Sequence, residues 1–169
     1  FNNFLTGTLP STLSNLTEID IFDVSNNLLY GSIPDTLMQL TSLTTLGLST
    51  NGFSGVLPQD LGNLQNLENL NINLNNFYGE IPQSIKNCRS LRNLYMLSNK
   101  LSGNIDSVFD DHHFPQLESV DFSDNLFSGS FPSALLAYRG MRSLYFGKNC
   151  ITSIDLNQAC STNRLEILI

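Results

Sequence analysis

One short segment carries the residue types that metal binding or acid–base catalysis would need. It reads Asp110-Asp111-His112-His113, and carboxylates and imidazoles are common metal ligands and proton carriers. The two histidines are adjacent, however, whereas two histidines that bind one zinc ion from a helix are a full turn apart. No third ligand lies at a recognisable spacing. We therefore expect a solvated loop here, with no metal site and no catalytic residue.

The three cysteines, Cys88, Cys150 and Cys160, do not have the spacing of a zinc site. Cys88 takes the place of a leucine in the repeated apolar pattern, which predicts a small buried hydrophobic residue. Cys150 and Cys160 enclose an irregular stretch, and they can form a disulfide only if the fold brings their Cα atoms within about 7 Å. The sequence leaves this pairing open.

Motifs and charge exclude further classes of function. The sequence contains no nucleophile elbow, phosphate-binding loop or paired catalytic carboxylates, so we expect neither an enzyme nor a bound cofactor. The formal net charge of −7 disfavours nucleic acid as a partner, because phosphate binding needs clustered Lys and Arg. No apolar run reaches the roughly 18 residues needed to cross a bilayer. Any attachment to a membrane would depend on sequence outside this chain.

The sequence has a strong internal period instead. An Asn is followed two residues later by an apolar residue and four residues later by Gly, and most copies recur at the interval that separates Asn27 from Asn51. The interval from Asn99 to Asn125 is two residues longer and contains the Asp-Asp-His-His segment, and the last copy lacks the Gly. Self-similarity at such a period indicates a solenoid. The repeated asparagines are Asn3, Asn27, Asn51, Asn75, Asn99, Asn125 and Asn149.

Each repeat also contains a regular set of apolar residues. Leu43, Leu46 and Leu48 precede Asn51, and the last two alternate with polar residues as in a short strand with one buried side. A second apolar pair follows the Pro of most repeats and predicts a 3₁₀ or irregular helical segment. One repeat cannot bury its own leucines, so the repeats must stack and share a core. The strands then form a parallel sheet, and the Asn amides pair with backbone groups at the bend.

The repeat L-x-x-L-x-L-x-x-N-x-L-x-G-x-[IL]-P-x-x-L-x-x-L-x-x resembles the plant-type leucine-rich repeat, most clearly from Leu43 to Asn66 and from Leu67 to Ser90. The resemblance implies an α/β-type solenoid, a right-handed superhelix with a parallel concave sheet. It also implies short strands on one flank and 3₁₀ or irregular segments on the convex side. We expect one domain over residues 1–169, with about seven repeats, truncated at both ends from a longer array.

The positions beside the buried strand residues are expected on the concave surface. Tyr95 and Tyr145 lie two repeats apart with Asp121 between them, and they offer the amphipathic area that interfaces favour. Three asparagines in one strand either bind a peptide backbone or glycan or keep the strand soluble. The candidate ligand-binding residues are Asp23, Asn69, Asn71, Asn73, Tyr95, Leu97, Asp121 and Tyr145.

The family includes ectodomains of receptor kinases and receptor-like proteins, and secreted inhibitors of pectin-degrading enzymes. The resemblance therefore implies a receptor-like module, extracellular or at the cell surface, that recognises a protein, peptide or glycan ligand, with a co-receptor as a further partner. Two alternatives are a secreted inhibitor of cell-wall-degrading hydrolases and a structural or adhesive surface protein. The one glycosylation sequon, Asn15-Leu16-Thr17, is expected on the accessible outer face. Function in this family depends on variable surface positions, so the resemblance identifies no ligand.

Overall fold

The computed structural model describes residues 1–109, 113–153 and 166–168. Within these ranges a typical repeat contributes two short strands and one 3₁₀ helix, and none of these residues is in an α-helix. The predicted solenoid of parallel strands and 3₁₀ segments is confirmed. The 3₁₀ helices are η1 (Ser11–Asn15), η2 (Asp35–Gln39), η3 (Leu61–Asn63), η4 (Gln83–Asn87), η5 (Ile105–Val108) and η6 (Ser133–Ala137).

The first strand of each repeat is the one that the apolar alternation predicts, and these strands form sheet I. All neighbouring strands are parallel, and they follow one another along the sheet in the order of the repeats. In each repeat whose strand burial is described, the middle residue of the strand is buried in the common core. The strands are β2 (Ile21–Asp23), β4 (Thr45–Gly47), β6 (Asn69–Asn71), β8 (Asn93–Tyr95), β10 (Ser119–Asp121), β12 (Ser143–Tyr145) and β14 (Glu166–Leu168).

The second strand of each repeat follows the turn at the repeated Asn, and these strands form sheet II, also parallel. Each of the first six strands of sheet II contains the repeated Gly at a positive φ, for example 81° at Gly79. Residues with a side chain rarely adopt this backbone conformation. The strands are β1 (Thr6–Gly7), β3 (Leu28–Gly31), β5 (Gly52–Gly55), β7 (Asn76–Gly79), β9 (Lys100–Asn104), β11 (Leu126–Ser130) and β13 (Cys150–Ser153). They are the short flanking strands that the family resemblance implies.

Phenylalanines link the core across the longer repeat. Phe109 and Phe114, on either side of the extra residues, are fully buried with ring centroids 5.3 Å apart. Phe109 also lies 5.7 Å from Phe122, which packs edge-on against Phe146 in the next repeat. The longer repeat is therefore anchored to the core at both ends of its insertion. Asp110, Asp111 and His112 lie outside the described residues.

The asparagine side chains connect successive repeats. Asn75 Oδ1 accepts a hydrogen bond from the Phe53 N–H of the preceding repeat at 3.0 Å. Its Nδ2 donates to the carbonyl oxygen of Leu48, also in the preceding repeat, and to those of Ile72 and Asn73 in its own bend. Asn51, Asn99, Asn125 and Asn149 make the same bonds. One amide thus pairs four backbone groups and joins two repeats.

The first two asparagines of the series depart from this arrangement. Asn27 Oδ1 accepts from Leu5 N–H, but its Nδ2 donates only within its own bend. Asn3 is exposed, and its amide donates to the carbonyl oxygen of Phe1. Among the described residues, the inter-repeat ladder therefore begins at Asn27.

Replacing Asn75 with Ala should strongly destabilise the chain. The change leaves the buried N–H of Phe53 without its acceptor and removes one of the two amide donors to the Leu48 carbonyl, the other being Asn51 Nδ2. We therefore expect the free energy of unfolding to fall by about 2–3 kcal/mol. Urea unfolding followed by circular dichroism measures this loss. The neighbouring Asn76 is exposed, and Asn76→Ala should change stability by less than about 0.5 kcal/mol. Equal losses in the two variants would contradict the bridging role.

Gly62→Ala should also destabilise, through the contact between η3 and η4. A Cβ on Gly62 would overlap the carbonyl oxygen of Ser84, and the Gly62 N–H donates to Ser84 Oγ at 3.1 Å. Overpacking of a core typically costs about 1–3 kcal/mol, and we expect a loss of about 3 kcal/mol because the obstacle is backbone. Gly140→Ala is the matched control, since its Cβ would meet only ordinary contacts, the nearest at 3.4 Å. A loss as large in Gly140→Ala would show that the effect is not local.

Candidate ligand-binding surface

The structure aligns most of the candidate residues on the outer side of sheet I. Asp121 pairs in register with Tyr95 on one side and Tyr145 on the other, and Asn71 pairs with Tyr95. Since neighbouring strands are about 4.8 Å apart, the two tyrosines are separated by about 10 Å along the sheet with the carboxylate between them. All four side chains are partly exposed. They form a row of mixed polar and aromatic character.

Asp23 belongs to the same row but lies away from the tyrosines. It pairs in register with Gly47, which pairs with Asn71. A Cβ on Gly47 would lie only 2.6 Å from Asp23 Oδ1, so the carboxylate of Asp23 occupies the space above the glycine. Asp23 is therefore separated from Tyr95 by two intervening strands, and the structure does not bring it together with the other candidates.

A second row on sheet I is linked by hydrogen bonds between side chains. Asn93 Nδ2 donates to Asn69 Oδ1 at 2.6 Å, and Asn69 Nδ2 reaches Thr45 Oγ1 at 3.4 Å. The hydroxyl of Tyr95 donates to Asn93 Oδ1 at 3.3 Å. These contacts hold Tyr95 and Asn69 in place before any ligand arrives. Asn93 was not among the candidates, although the one-repeat register of sheet I places it beside Asn69.

Several candidates already use an oxygen to stabilise the bend after their strand. Asp23 and Asp121 each accept a hydrogen bond from the backbone N–H two residues later, at 2.8 Å and 3.0 Å, and Asn71 does so at 3.2 Å. Asn73 Oδ1 accepts from the N–H of Leu97 in the next repeat at 2.7 Å. Substitution of these residues would disturb the backbone as well as the surface. Tyr95 and Tyr145 are the better probes of binding.

A column of alternating charge borders sheet I. Arg92 lies between Glu68 and Glu118, with nitrogen–oxygen distances of 3.5 Å and 3.0 Å, and Arg142 is 3.4 Å from Glu118. Exposed pairs of this kind contribute little to stability. They do neutralise the two arginines locally, so this edge of the sheet does not present an isolated positive charge to a ligand.

The described residues contain no group of three His, Cys, Asp or Glu side chains that could hold a metal ion. Burial raises the pKa of the Cys88 thiol to about 12, so this group stays protonated at neutral pH and is a poor nucleophile. Its Sγ lies 3.6 Å from the carbonyl oxygen of Leu61. Cys150 is exposed at the start of β13, while Cys160 lies outside the described residues, and their pairing stays a prediction.

The glycosylation sequon is accessible on the surface. Asn15 and Thr17 of the sequon are both exposed, Asn15 at the last residue of η1. Within the described residues, no helix is both long enough and apolar enough to span a membrane. The accessibility expected for the sequon is present in the structure, whereas its glycosylation stays a prediction.

Sheet II carries exposed side chains that the sequence reasoning did not select. Tyr30 and Tyr78 are 57% and 53% exposed, which exceeds the partial exposure of Tyr95 and Tyr145. Both follow the buried residue of their strand directly, so the alternation of buried and exposed positions was the signal that could have found them. Val56, just after β5, is another exposed apolar residue near Tyr78.

Comparisons with known proteins agree with the repeat pattern. The family profile described as Leucine Rich Repeat matches residues 42–64, 66–88 and 116–137. No protein of curated function matches the sequence. The leucine-rich repeat ectodomain of the Arabidopsis thaliana receptor kinase GASSHO1/SCHENGEN3, solved with CASPARIAN STRIP INTEGRITY FACTOR 2, is 31% identical. Its TM-score is 0.82 over 98% of this chain and 21% of that one.

Two other solved structures are informative. The Arabidopsis receptor kinase HAESA, in complex with the peptide hormone IDA and the co-receptor SERK1, is 25% identical with a TM-score of 0.75, covering 99% of this chain and 32% of HAESA. A plant ice-binding protein is 22% identical with a TM-score of 0.82, covering 97% of this chain and 60% of that protein. At this identity the ice-binding protein shares the fold alone.

The chain therefore spans about a fifth to a third of the two receptor kinase chains. The profile matches, the two parallel sheets and the solved receptors all point to the same type of repeat. The chain contains leucine-rich repeats, and its fold matches that of plant receptor kinase ectodomains.

Proposed function

We propose that this chain is the ligand-recognition module of a receptor-like leucine-rich repeat protein, acting outside the cell or at its surface. It binds a peptide or protein ligand on sheet I, with a co-receptor as a second partner. The observation that carries this proposal is the row in which Asp121 lies between Tyr95 and Tyr145. The receptor HAESA, with the same fold, was solved with a peptide hormone and a co-receptor, which supports a ligand of this class.

The chemistry of the row suits an extended peptide. Tyrosine offers a large contact area and a hydroxyl on a side chain with only two rotatable angles, so it loses little entropy when it binds. The Asp121 carboxylate, between the two rings, can accept hydrogen bonds from a peptide N–H or a basic side chain. Asn69 and Asn93 in the adjacent row add amide groups that are already oriented. The surface thus combines aromatic anchors with polar groups that fix orientation.

The structural or adhesive alternative receives less support from the surface. An ice-binding or other periodic surface would favour the same small polar residue at each repeat, and the first row of sheet I instead contains Asp23, Gly47, Asn71, Tyr95 and Asp121. Such irregular composition is typical of recognition of one specific partner. We propose no enzymatic activity.

The sequon at Asn15 is part of the same proposal. Both of its functional side chains are exposed, and an N-linked glycan there would lie on η1, outside sheet I. Glycosylation of this asparagine would fit a protein of the secretory pathway. It would also leave the row of tyrosines uncovered, because η1 and sheet I are on different parts of the repeat.

Peptide binding can be tested by selecting random dodecapeptides displayed on phage against the intact chain. Synthetic copies of the enriched peptides are then titrated by calorimetry. We expect Tyr95→Ala and Tyr145→Ala each to weaken binding about tenfold, since buried aromatic anchors typically contribute more than about 1 kcal/mol. Both variants should keep the thermal stability of the parent chain to within a few degrees.

Tyr78→Ala, on sheet II, is the matched control and should bind these peptides as tightly as the parent chain. Peptides that bind the Tyr95→Ala and Tyr145→Ala variants unchanged would contradict binding on sheet I. A different outcome would be inhibition of a pectin-degrading hydrolase by the chain, lost in the same two variants. That result would assign the surface to an inhibitor instead of a receptor.

A further inference from the structure

The outer side of sheet II contains two grooves next to β5. The first is an open volume of ≈ 340 Å³ over Gly52, lined by Leu28, Tyr30 and Leu74. Gly52 pairs in register with Tyr30, and because it has no side chain the space beside the tyrosine stays open. Leu28, Tyr30 and Leu74 are 59%, 57% and 49% exposed. These three side chains form an apolar surface that the core does not use.

The second groove lies beyond the other end of β5 and is larger, with a volume of ≈ 540 Å³. Its apolar wall includes Val56 and Tyr78, which are 50% and 53% exposed. A Cβ on Gly79 would lie 3.1 Å from Val56 Cγ1, so Val56 packs beside the backbone that carries Tyr78. Asp35 and Asp60 also line this groove. We call it the acidic groove.

The two carboxylates of the acidic groove are well placed for a cationic partner. Asp35, at the start of η2, and Asp60, just before η3, both line the open volume. Neither carboxylate forms an ion pair with a residue in the described ranges. At physiological salt the electrostatic field of a charge decays over about 8 Å, so these two groups dominate the potential inside the groove.

The distribution of charge along the chain reinforces this local pattern. Residues 1–85 contain seven acidic residues and no Lys or Arg, whereas residues 86–169 contain the other eight acidic residues and all eight basic ones. The formal charge of −7 therefore belongs entirely to the first half, which carries both grooves. A cationic partner would be attracted to this half during its approach. The basic residues are Lys86, Arg89, Arg92, Lys100, Arg139, Arg142, Lys148 and Arg164.

We propose that the acidic groove binds an arginine-bearing basic segment of a partner protein. The planar guanidinium pairs with carboxylates through two parallel hydrogen bonds and stacks on aromatic rings. The groove offers a carboxylate, from Asp35 or Asp60, and an aromatic ring, from Tyr78. The aliphatic part of the arginine side chain covers Val56. An apolar residue of the same segment occupies the first groove, beside Tyr30. This surface is on sheet II and is independent of the ligand site proposed on sheet I.

Other partners fit the observations less well. An acidic protein or an anionic polysaccharide would meet a surface with a formal charge of −7 and would be repelled. A neutral oligosaccharide could stack on Tyr30 and Tyr78, but it has no positive charge to pair with the carboxylates of Asp35 and Asp60. The charge complementarity therefore favours a basic protein segment, and carbohydrate binding becomes an outcome that the experiment can distinguish.

The probe is a fluorescent nona-arginine peptide, titrated against the intact chain by fluorescence anisotropy at low and at tenfold higher salt. We expect binding at low salt that weakens at high salt. The double variant Asp35→Asn/Asp60→Asn should bind at least fivefold more weakly. Its control is Glu18→Gln/Asp20→Asn, which removes the same charge from exposed residues of the same half and should change binding by less than twofold. Equal losses in the two double variants would overturn the proposal in favour of general attraction to the acidic half.

Tyr78→Ala tests the aromatic contribution without a change of charge, and we expect it to weaken nona-arginine binding at least threefold. Phe4→Ala is its control, since Phe4 is an exposed aromatic residue of the same half that lines neither groove, and it should leave binding unchanged. Ser54→Arg, which places a positive charge on β5 between the grooves, should lower binding without removing any groove residue. Unchanged binding in Tyr78→Ala and Ser54→Arg would overturn the proposal. Binding of a neutral glucan oligosaccharide that is lost in Tyr78→Ala but kept in Asp35→Asn/Asp60→Asn would overturn it as well.

Discussion

The bend after each strand of sheet I is the constraint on which the rest of the structure depends. The chain must turn there while its N–H and C=O groups are inside the protein, where each unpaired group is costly. One Asn amide supplies an acceptor and two donors at this point, and from Asn51 onward it also donates to the preceding repeat.

The longer repeat shows how strong this constraint is. Across the insertion, Asn125 accepts a hydrogen bond from the Leu101 N–H and donates to the Met96 carbonyl. Asn99, in a repeat of ordinary length, makes the same two bonds with Phe77 and Ile72. The ladder is therefore unbroken across the longer repeat. Because the ladder fixes the interior in this way, the surface positions are free to differ from repeat to repeat. The residue at the end of a sheet I strand is Gly47 in one repeat, Asn71 in the next and Tyr95 in the one after that. Recognition by such a protein depends on the order of side chains along the stack, and the shape of any single pocket is less important.

The sequence predicts the features that recur in every repeat, but it does not predict the strand register of sheet II. The period identifies the buried leucines, the glycines at positive φ and the row in which Asp121 lies between two tyrosines, because sheet I pairs residues one full repeat apart. Sheet II is different, since Tyr30 pairs with Gly52, whereas one full repeat from Tyr30 would reach Ser54. The grooves beside β5 could not be predicted from the period alone. The period does make Asn93 and Asn69 neighbours, but the hydrogen bond between them and the use of the Asp121 oxygen in its own bend depend on side-chain rotamers, which the period does not specify.

The two proposed surfaces lie on different sheets and are centred on different repeats, around Asp121 on sheet I and around β5 on sheet II, and this separation has a physical consequence. The tyrosine row of sheet I is centred on Asp121, in the half of the chain whose acidic and basic residues balance. The grooves of sheet II are in the first half, where no Lys or Arg offsets the acidic residues. Beyond a Debye length the two surfaces are screened from one another, so a ligand on one need not repel or attract a partner on the other. A rigid stack that separates two contacts in this way can hold two partners at a fixed distance, which is a geometric requirement for a module that brings a ligand and a second protein together.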